Sequence, residues 1–453
     1  MKTKIWMAAG ASALALAMSL PAAAKVDAAK AGELKTTLTP TGADKGANKD
    51  GSIPAWDGGL KAAPASFGGP GKRYVDPFPG DKAKFTITKA NLDQYKDKLT
   101  PGQQALFAKY DSYKMNVYET RRTFANPQFV YDASFKNATS GNLTGNGETL
   151  NGAITGVPFP VPGNGQEAIW NHKLRYQDLG KRRWNNQFAV TTAGDFNLVK
   201  IQEDAKFPYA APNATLEGLN NVGIYFLQMT TAPARLAGSI LLVHETMDQV
   251  KEARRAWQYN PGQKRLRRAP NVGYDNPGTA SDGLRTNDQL DIFNGATDRY
   301  EWKLMGKKEM YVPANAYVLH SDKIKYKDIV RKSHINQDLA RYELHRVWIV
   351  DATLKKGTSH IYKRRTFYIE EDGWQIVAAD VYDARDQMWR VQEAHTIMAY
   401  DKPYQMSIAE TCYDLQSNRY LVMSLNNEDA ETVTKEFDNG YFQPENVSKL
   451  ATK

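Results

Sequence analysis

Few residues in this chain are of types and spacings that could do chemistry, and His244-Glu245-Thr246-Met247-Asp248 comes nearest. A zinc protease sets two histidines four apart on one helix face, with a glutamate between them as base. Here Asp248 takes the second histidine's place, and Ile240 to Val243 has the composition of a strand, which would send His244 and Glu245 to opposite faces. The other histidines, at 172, 320, 334, 345, 360 and 395, show no ligand spacing. Cys412 is the single cysteine, which forbids an internal disulfide. Between Thr411 and Tyr413 it has no basic neighbour to activate a thiol and reads as a small buried hydrophobe. Asn48, Asp50, Gly51, Ile53 and Asp57 fit part of a calcium loop, but its first ligand position falls on Gly46 and no helix pattern flanks it. The glycines from Gly141 to Gly156 match no phosphate-binding fingerprint, and a Gly-x-Ser-x-Gly elbow is missing. The expectation is a protein that is not an enzyme and holds neither metal nor cofactor.

The chain is rich in aromatic residues along extended stretches: Trp257, Trp302, Trp348, Trp374 and Trp389, with Tyr259, Tyr300, Tyr342, Tyr362 and Tyr382. Such residues either fill a closed core or line a cavity for an apolar ligand. Arg346, Arg364, Arg365 and Arg390 alternate with apolar neighbours, so their strands have one wet face.

The elements that carry these residues read as strands joined by tight turns. Trp257 to Pro270, WQYNPGQKRLRRAP, is a β-hairpin about Asn260-Pro261-Gly262. The same pattern recurs from Thr366 through Glu371-Asp372-Gly373 to Tyr382, and again through Asp383 to Asp386 into Gln387 to Ala399. Further strands are expected from Gln187 to Tyr259, at Trp302 to Val312 and at Arg341 to Asp351, giving an antiparallel meander. Three helices are expected: one capped by Thr88, one opened by Thr100-Pro101-Gly102-Gln103, and one capped by Asn164 behind the Pro-rich run Pro158 to Pro162. Between Pro270 and Arg299 lies a loop whose Tyr274, Leu284, Leu290, Ile292 and Phe293 argue for order.

Of the 453 residues, 1–24 read as a cleaved secretory signal: Lys2 and Lys4, an apolar run from Ile5 to Leu20, and an Ala-x-Ala exit ending at Ala24. Its removal lowers the formal charge from +9 to +7. No cysteine follows at 25 for lipidation. Residues 25–80 read as an extended arm anchored by Ile53, Trp56 and Leu60, and residues 81–453 as one domain. The basic balance serves solubility or meets anionic headgroups; nucleic acid is not an expected partner for an exported chain.

Several stretches together resemble a large uncharacterised family of exported Gram-negative proteins, a domain of unknown function usually labelled outer-membrane-lipoprotein-sorting. They include LTPTGADKGANKDGSIPAWDGGL from Leu38, GVPFPVPGNGQEAIWNHKLRY from Gly156, LLVHETMDQVKEARRAWQYNPGQKRLRRAP from Leu241 and YIEEDGWQIVAADVYDARDQMWRVQEA from Tyr368. The resemblance implies a fold similar to the periplasmic lipoprotein carriers LolA and LolB: mainly β with α, a strongly curved antiparallel half-barrel with helices on its concave face. It also implies association with an outer-membrane protein and an exporter of the resistance-nodulation-division type. The expected function is a soluble periplasmic carrier of a lipid or other hydrophobic ligand, with a ligand-free module that docks an envelope partner as the alternative. In the carrier, Trp257, Tyr259, Trp302, Trp348 and Trp374 are the expected wall, Trp170 and Phe159 the lid, and Arg267 and Arg268 the headgroup contacts.

Overall fold

A computed structural model describes residues 26–269, 273–438 and 440–451, so the signal segment lies outside the described residues. Strands dominate, and they form two meanders. The first runs β1 (Gly180–Trp184), β2 (Asn186–Val190), β3 (Phe196–Lys206), β4 (Val222–Ala232), β5 (Ile240–Thr246), β6 (Arg255–Asn260) and β7 (Arg265–Arg268). The second runs β8 (Tyr300–Pro313), β9 (Tyr342–Leu354), β10 (Arg364–Glu370), β11 (Ile376–Tyr382), β12 (Met388–Ala399), β13 (Tyr404–Asp414) and β14 (Arg419–Leu425). Within the second meander each strand pairs antiparallel with the next. In the first, β3 pairs along its length with both β1 and β2, then with β4, and the order continues to β7.

The two meanders are welded where β14 pairs antiparallel with β2, Tyr420 against Val190 and Val422 against Phe188. The result is one sheet of 17 strands once three shorter segments are included, mixed only through a parallel bridge between Tyr342 and Val117. The mainly β architecture with helices against a large sheet is as expected, while no curled sheet is seen among the described residues, so the strong curvature of the expected half-barrel is not shown. Strands β2 and β11 are buried at every position, so the sheet is covered on both sides there.

One face of the second meander packs beneath helix α1 (Pro101–Lys109), with Leu106, Phe107, Val391, Tyr413 and Val422 in one cluster. The Thr100 hydroxyl accepts from the Gln103 N–H and the Gln103 side chain answers at the Thr100 N–H, the capping box the sequence announced. The helix expected after Thr88 is instead two single 3-10 turns at Leu92–Gln94 and Lys96–Lys98. Asn91 explains it: its side chain accepts from the Thr88 N–H and donates to the Thr86 carbonyl, competing with helical bonds. Helix α2 (Gln128–Ser140) was not foreseen, because Pro127 at its cap offers no side-chain acceptor.

On the opposite face lie helix α3 (Gly165–Leu174) and the 273–299 loop. The loop leaves the first meander beyond its outer strand β7 and enters the second at its outer strand β8, so it must cross the width of the sheet. Its contacts record the crossing. Leu284 packs on Cys412 and Leu421, Arg390 donates to the Gly283 carbonyl, Asp288 pairs with Arg365, and Phe293 meets Phe367. The C-terminal helix α4 (Pro444–Leu450) covers the other face of the first meander. No helix among the described residues is long and apolar enough to cross a membrane.

Candidate functional site

Asn164 caps α3, its side chain accepting from the Glu167 N–H at 3.0 Å. Gly165 then lets the helix lie against β8: a Cβ there would sit 2.9 Å from the Trp302 carbonyl carbon. One stripe of α3, Ala168 and Ile169, is buried with Val350 and Phe367. Trp170, Lys173 and Leu174 turn instead toward a cavity of about 120 Å³, bounded by Ala205, Ile224 and Phe226 of the first meander, Met406 of β13, and Leu290 and Phe293 of the loop. An apolar cavity of roughly 150 Å³ holds a benzene ring, so this one holds a ring or about six carbons.

Charge surrounds that apolar volume, and most of it is paired. Arg175 donates to both Asp291 oxygens, at 2.8 and 2.6 Å, and to Gln375 at 2.6 Å. Arg183 donates to Glu203 at 2.7 Å, and Glu245 accepts from Arg254 at 2.9 Å and Gln249 at 2.6 Å. His172, on the buried side of α3, donates from Nε2 to the Asp291 carbonyl at 3.0 Å and accepts at Nδ1 from the Ile376 N–H at 3.2 Å. Burial and the neighbouring Arg175 push its pKa down to about 4, so the ring is neutral.

Two lysines on the cavity wall differ. Lys173 Nζ is buried with no hydrogen-bond partner and lies 4.4 Å from the Trp170 ring centre. Lys181, buried, has a long 3.4 Å hydrogen bond to the neutral amide of Gln177 and lies over Phe207 and Tyr404, 5.1 and 5.4 Å from their ring centres. Burial lowers the pKa of Lys173 and carries that of Lys181 down to about 7, with Arg183 adding to the shift at Lys181.

The family model described as a protein of unknown function, DUF1329, matches residues 86–448. The chain belongs to this DUF1329 family. An uncharacterized protein of Pseudomonas aeruginosa is 51% identical over 430 residues, covering 95% of this chain and 94% of that one. Among solved structures the chain is similar to a DUF1329 family protein from Desulfovibrio piger, with a TM-score of 0.41, 14% identity, and 60% and 92% of the two chains covered. It is also similar to a LolA superfamily protein from Nitrosomonas europaea, with a TM-score of 0.37, 11% identity, and coverage of 62% and 98%. None of these names is that of an enzyme.

Of the nine residues singled out in the DUF1329 sequence, Trp170 lines the cavity, its Nε1 donating to the Gly147 carbonyl at 2.8 Å. Phe159 is buried beside it in the same cluster, its backbone N–H and carbonyl both bonded to the Asn171 side chain. Trp302, Trp348 and Trp374 gather in the filled core under α3, where Trp348 and Trp374 stack at 6.1 Å and Trp302 stacks on Phe367 at 5.9 Å. Trp257 and Tyr259 are on the far face of the first meander. Trp257 is paired across the sheet with Leu242, which pairs with Leu227, and all three sit under Phe442 and α4. The cavity wall uses the alternate parity, Ala205 against Phe226 and Ile224 against Glu245. Arg267 and Arg268 are exposed on β7.

His244 and Glu245 likewise part company: His244 Nε2 donates to the Phe442 carbonyl at 2.8 Å, and Glu245 faces the cavity. A second cluster of titratable groups went unnoticed in the sequence. His345, Glu370 and Asp372 present ligand atoms within 4.8 Å of one another. The protein's own cations already serve them. Arg122 donates to Asp372 at 2.6 and 3.0 Å, Arg341 donates to Glu343 at 2.6 Å, and His345 bridges Glu343 and Glu370 at 3.1 and 3.4 Å. Burial would push the His345 pKa down; the two carboxylates outweigh it and hold it at about 10. This is an ion-pair network that ties the 122 and 372 turns together.

Proposed function

We propose that the chain is a non-catalytic periplasmic carrier that holds the apolar part of a lipid or other hydrophobic molecule between α3, the 290–293 stretch of the loop and the first meander. The observation that carries this reading is the cavity of about 120 Å³ walled by Trp170, Leu174, Ile224, Phe226, Phe293 and Met406, with its neighbouring acids paired to arginines. Such a site transfers methylenes out of water at roughly 0.8 kcal/mol each and needs no reacting group. Six carbons supply about 5 kcal/mol, a dissociation constant between millimolar and micromolar.

Native mass spectrometry of protein purified from a periplasmic extract, followed by organic extraction, tests the reading. A hydrophobic adduct of one per chain is expected when envelope lipid is supplied above the dissociation constant, and Ala205→Leu, which adds three carbons to the cavity wall, should weaken its binding at least tenfold with the circular dichroism unchanged. A ligand-free mass that persists after incubation with envelope lipids, together with a co-purifying outer-membrane or exporter protein, would replace the carrier by a docking module.

A further inference from the structure

The cavity's charges carry the carrier reading a step further, to the class of ligand. We infer that the site selects an anionic amphiphile, a carboxylate on an apolar body, with Lys173 and Lys181 as the groups that receive the acid. The inference rests on the carrier reading.

Three ligand classes can be compared against the same wall. A cationic amphiphile would need a free acid, but Glu203, Glu245 and Asp291 each already accept from an arginine at 2.9 Å or less. A neutral amphiphile would fill the apolar volume and leave Lys173 Nζ, already buried, with no hydrogen bond at all. An ammonium left that way costs several kcal/mol or gives up its proton, and the aromatic face of Trp170 returns only about 0.5–2 kcal/mol. A carboxylate supplies what is missing. Its oxygens accept from an amine that has no hydrogen-bond partner of its own, since Glu148, Glu245 and Asp248 act on Lys173 only through charge and bond elsewhere, while its chain lies on Ile224 and Phe226 across the cavity.

The two lysines enter the site from different elements, Lys173 from the last turn of α3 and Lys181 from β1. Lys181 is only 5% exposed, yet no carboxylate bonds to its amine among the described residues; its hydrogen bond to Gln177 is long enough to be exchanged for a ligand oxygen. The lowered basicity of both amines fits the same picture, since each is desolvated before any anion has arrived.

Binding of decanoate, decanol and decylamine to the mature chain, followed by Trp fluorescence and calorimetry, separates the possibilities. Decanoate is expected to bind at least tenfold more tightly than decanol, and decylamine more weakly than either. In Lys173→Met/Lys181→Met decanoate should fall to the affinity of decanol, while decanol is unchanged or tighter. Equal affinities of decanoate and decanol in the unaltered chain would overturn acid selection and leave the carrier reading standing. Tightest binding by decylamine would overturn it as well. If none of the three binds, the carrier reading itself fails and the inference goes with it. The ranking of ligands by the unaltered protein decides the matter even if the double variant does not fold.

Discussion

His345 is the residue through which pH reaches the buried ion network. Its folded-state pKa, about 10, exceeds the usual 6.5 of an unfolded chain, so its stabilising contribution is complete below pH 6.5 and is lost as pH rises toward 10. His345→Gln should therefore cost about 3 kcal/mol at pH 6 and little at pH 10, read from urea unfolding at each pH. An equal cost at both would mean that packing, not charge, is what the imidazole supplies. Glu393 acts in the same direction. Burial pushes its pKa up to about 7 despite donors from Gln103, Tyr113 and Tyr342, so the fold also loses stability between about pH 4.5 and 7 as that carboxyl is forced to ionise. At this scale the sequence shows residue types but not partners. Nothing around His345 announces Glu370 or, through Asp372, Arg122, because those contacts cross between strands and turns far apart in the chain. Trp257 illustrates the other obstacle: its strand was legible, but its face depended on a parity of one residue that no local pattern resolves.

Among the elements, the 273–299 loop is held by buried charge as well as by apolar contacts. Asp288 accepts from Arg365 at 2.6 Å and pairs with His360 at 3.1 Å, both partners fully enclosed. Asp288→Ala leaves that arginine buried without its carboxylate and should destabilise the protein by about 3–5 kcal/mol, with new protease cleavage appearing first within 273–299. A stable variant whose first cuts fall elsewhere would show that Phe293 and Leu284 suffice to hold the loop. The order of this loop could be inferred from its apolar residues, and the α1 and α3 starts from Thr100 and Asn164, since capping chemistry is local. The turns at 92–98 and helix α2 could not, because each is decided by a competing or absent side-chain acceptor that propensity does not register.

For the molecule as a whole, the outer face of the first meander depends on the last segment of the chain. Phe442 is fully buried against Tyr225 and His244, the latter also bonded to its carbonyl. Phe442→Ala should cost about 3–5 kcal/mol and shift Trp257 emission to the red, with ligand binding at the opposite face preserved. Loss of binding in a folded variant would mean that the two faces are coupled through the sheet. The meander architecture was legible because strand, turn and strand repeat within short stretches. The joining of its two halves was not, since it pairs residues more than two hundred positions apart in the sequence.

That seam between β2 and β14 sets the folding problem of this chain. Each meander assembles from neighbours in sequence, at low entropic cost, but their union must wait for a strand that begins at Arg419. Until it arrives, β2 presents one unpaired edge that includes Phe188, Ala189 and Val190, the kind of surface that invites the wrong strand. Closure of the seam is therefore the step expected to limit refolding, and the refolding rate should then respond to substitutions at Phe188 and Val422 far more than to any at the hairpin of β6 and β7.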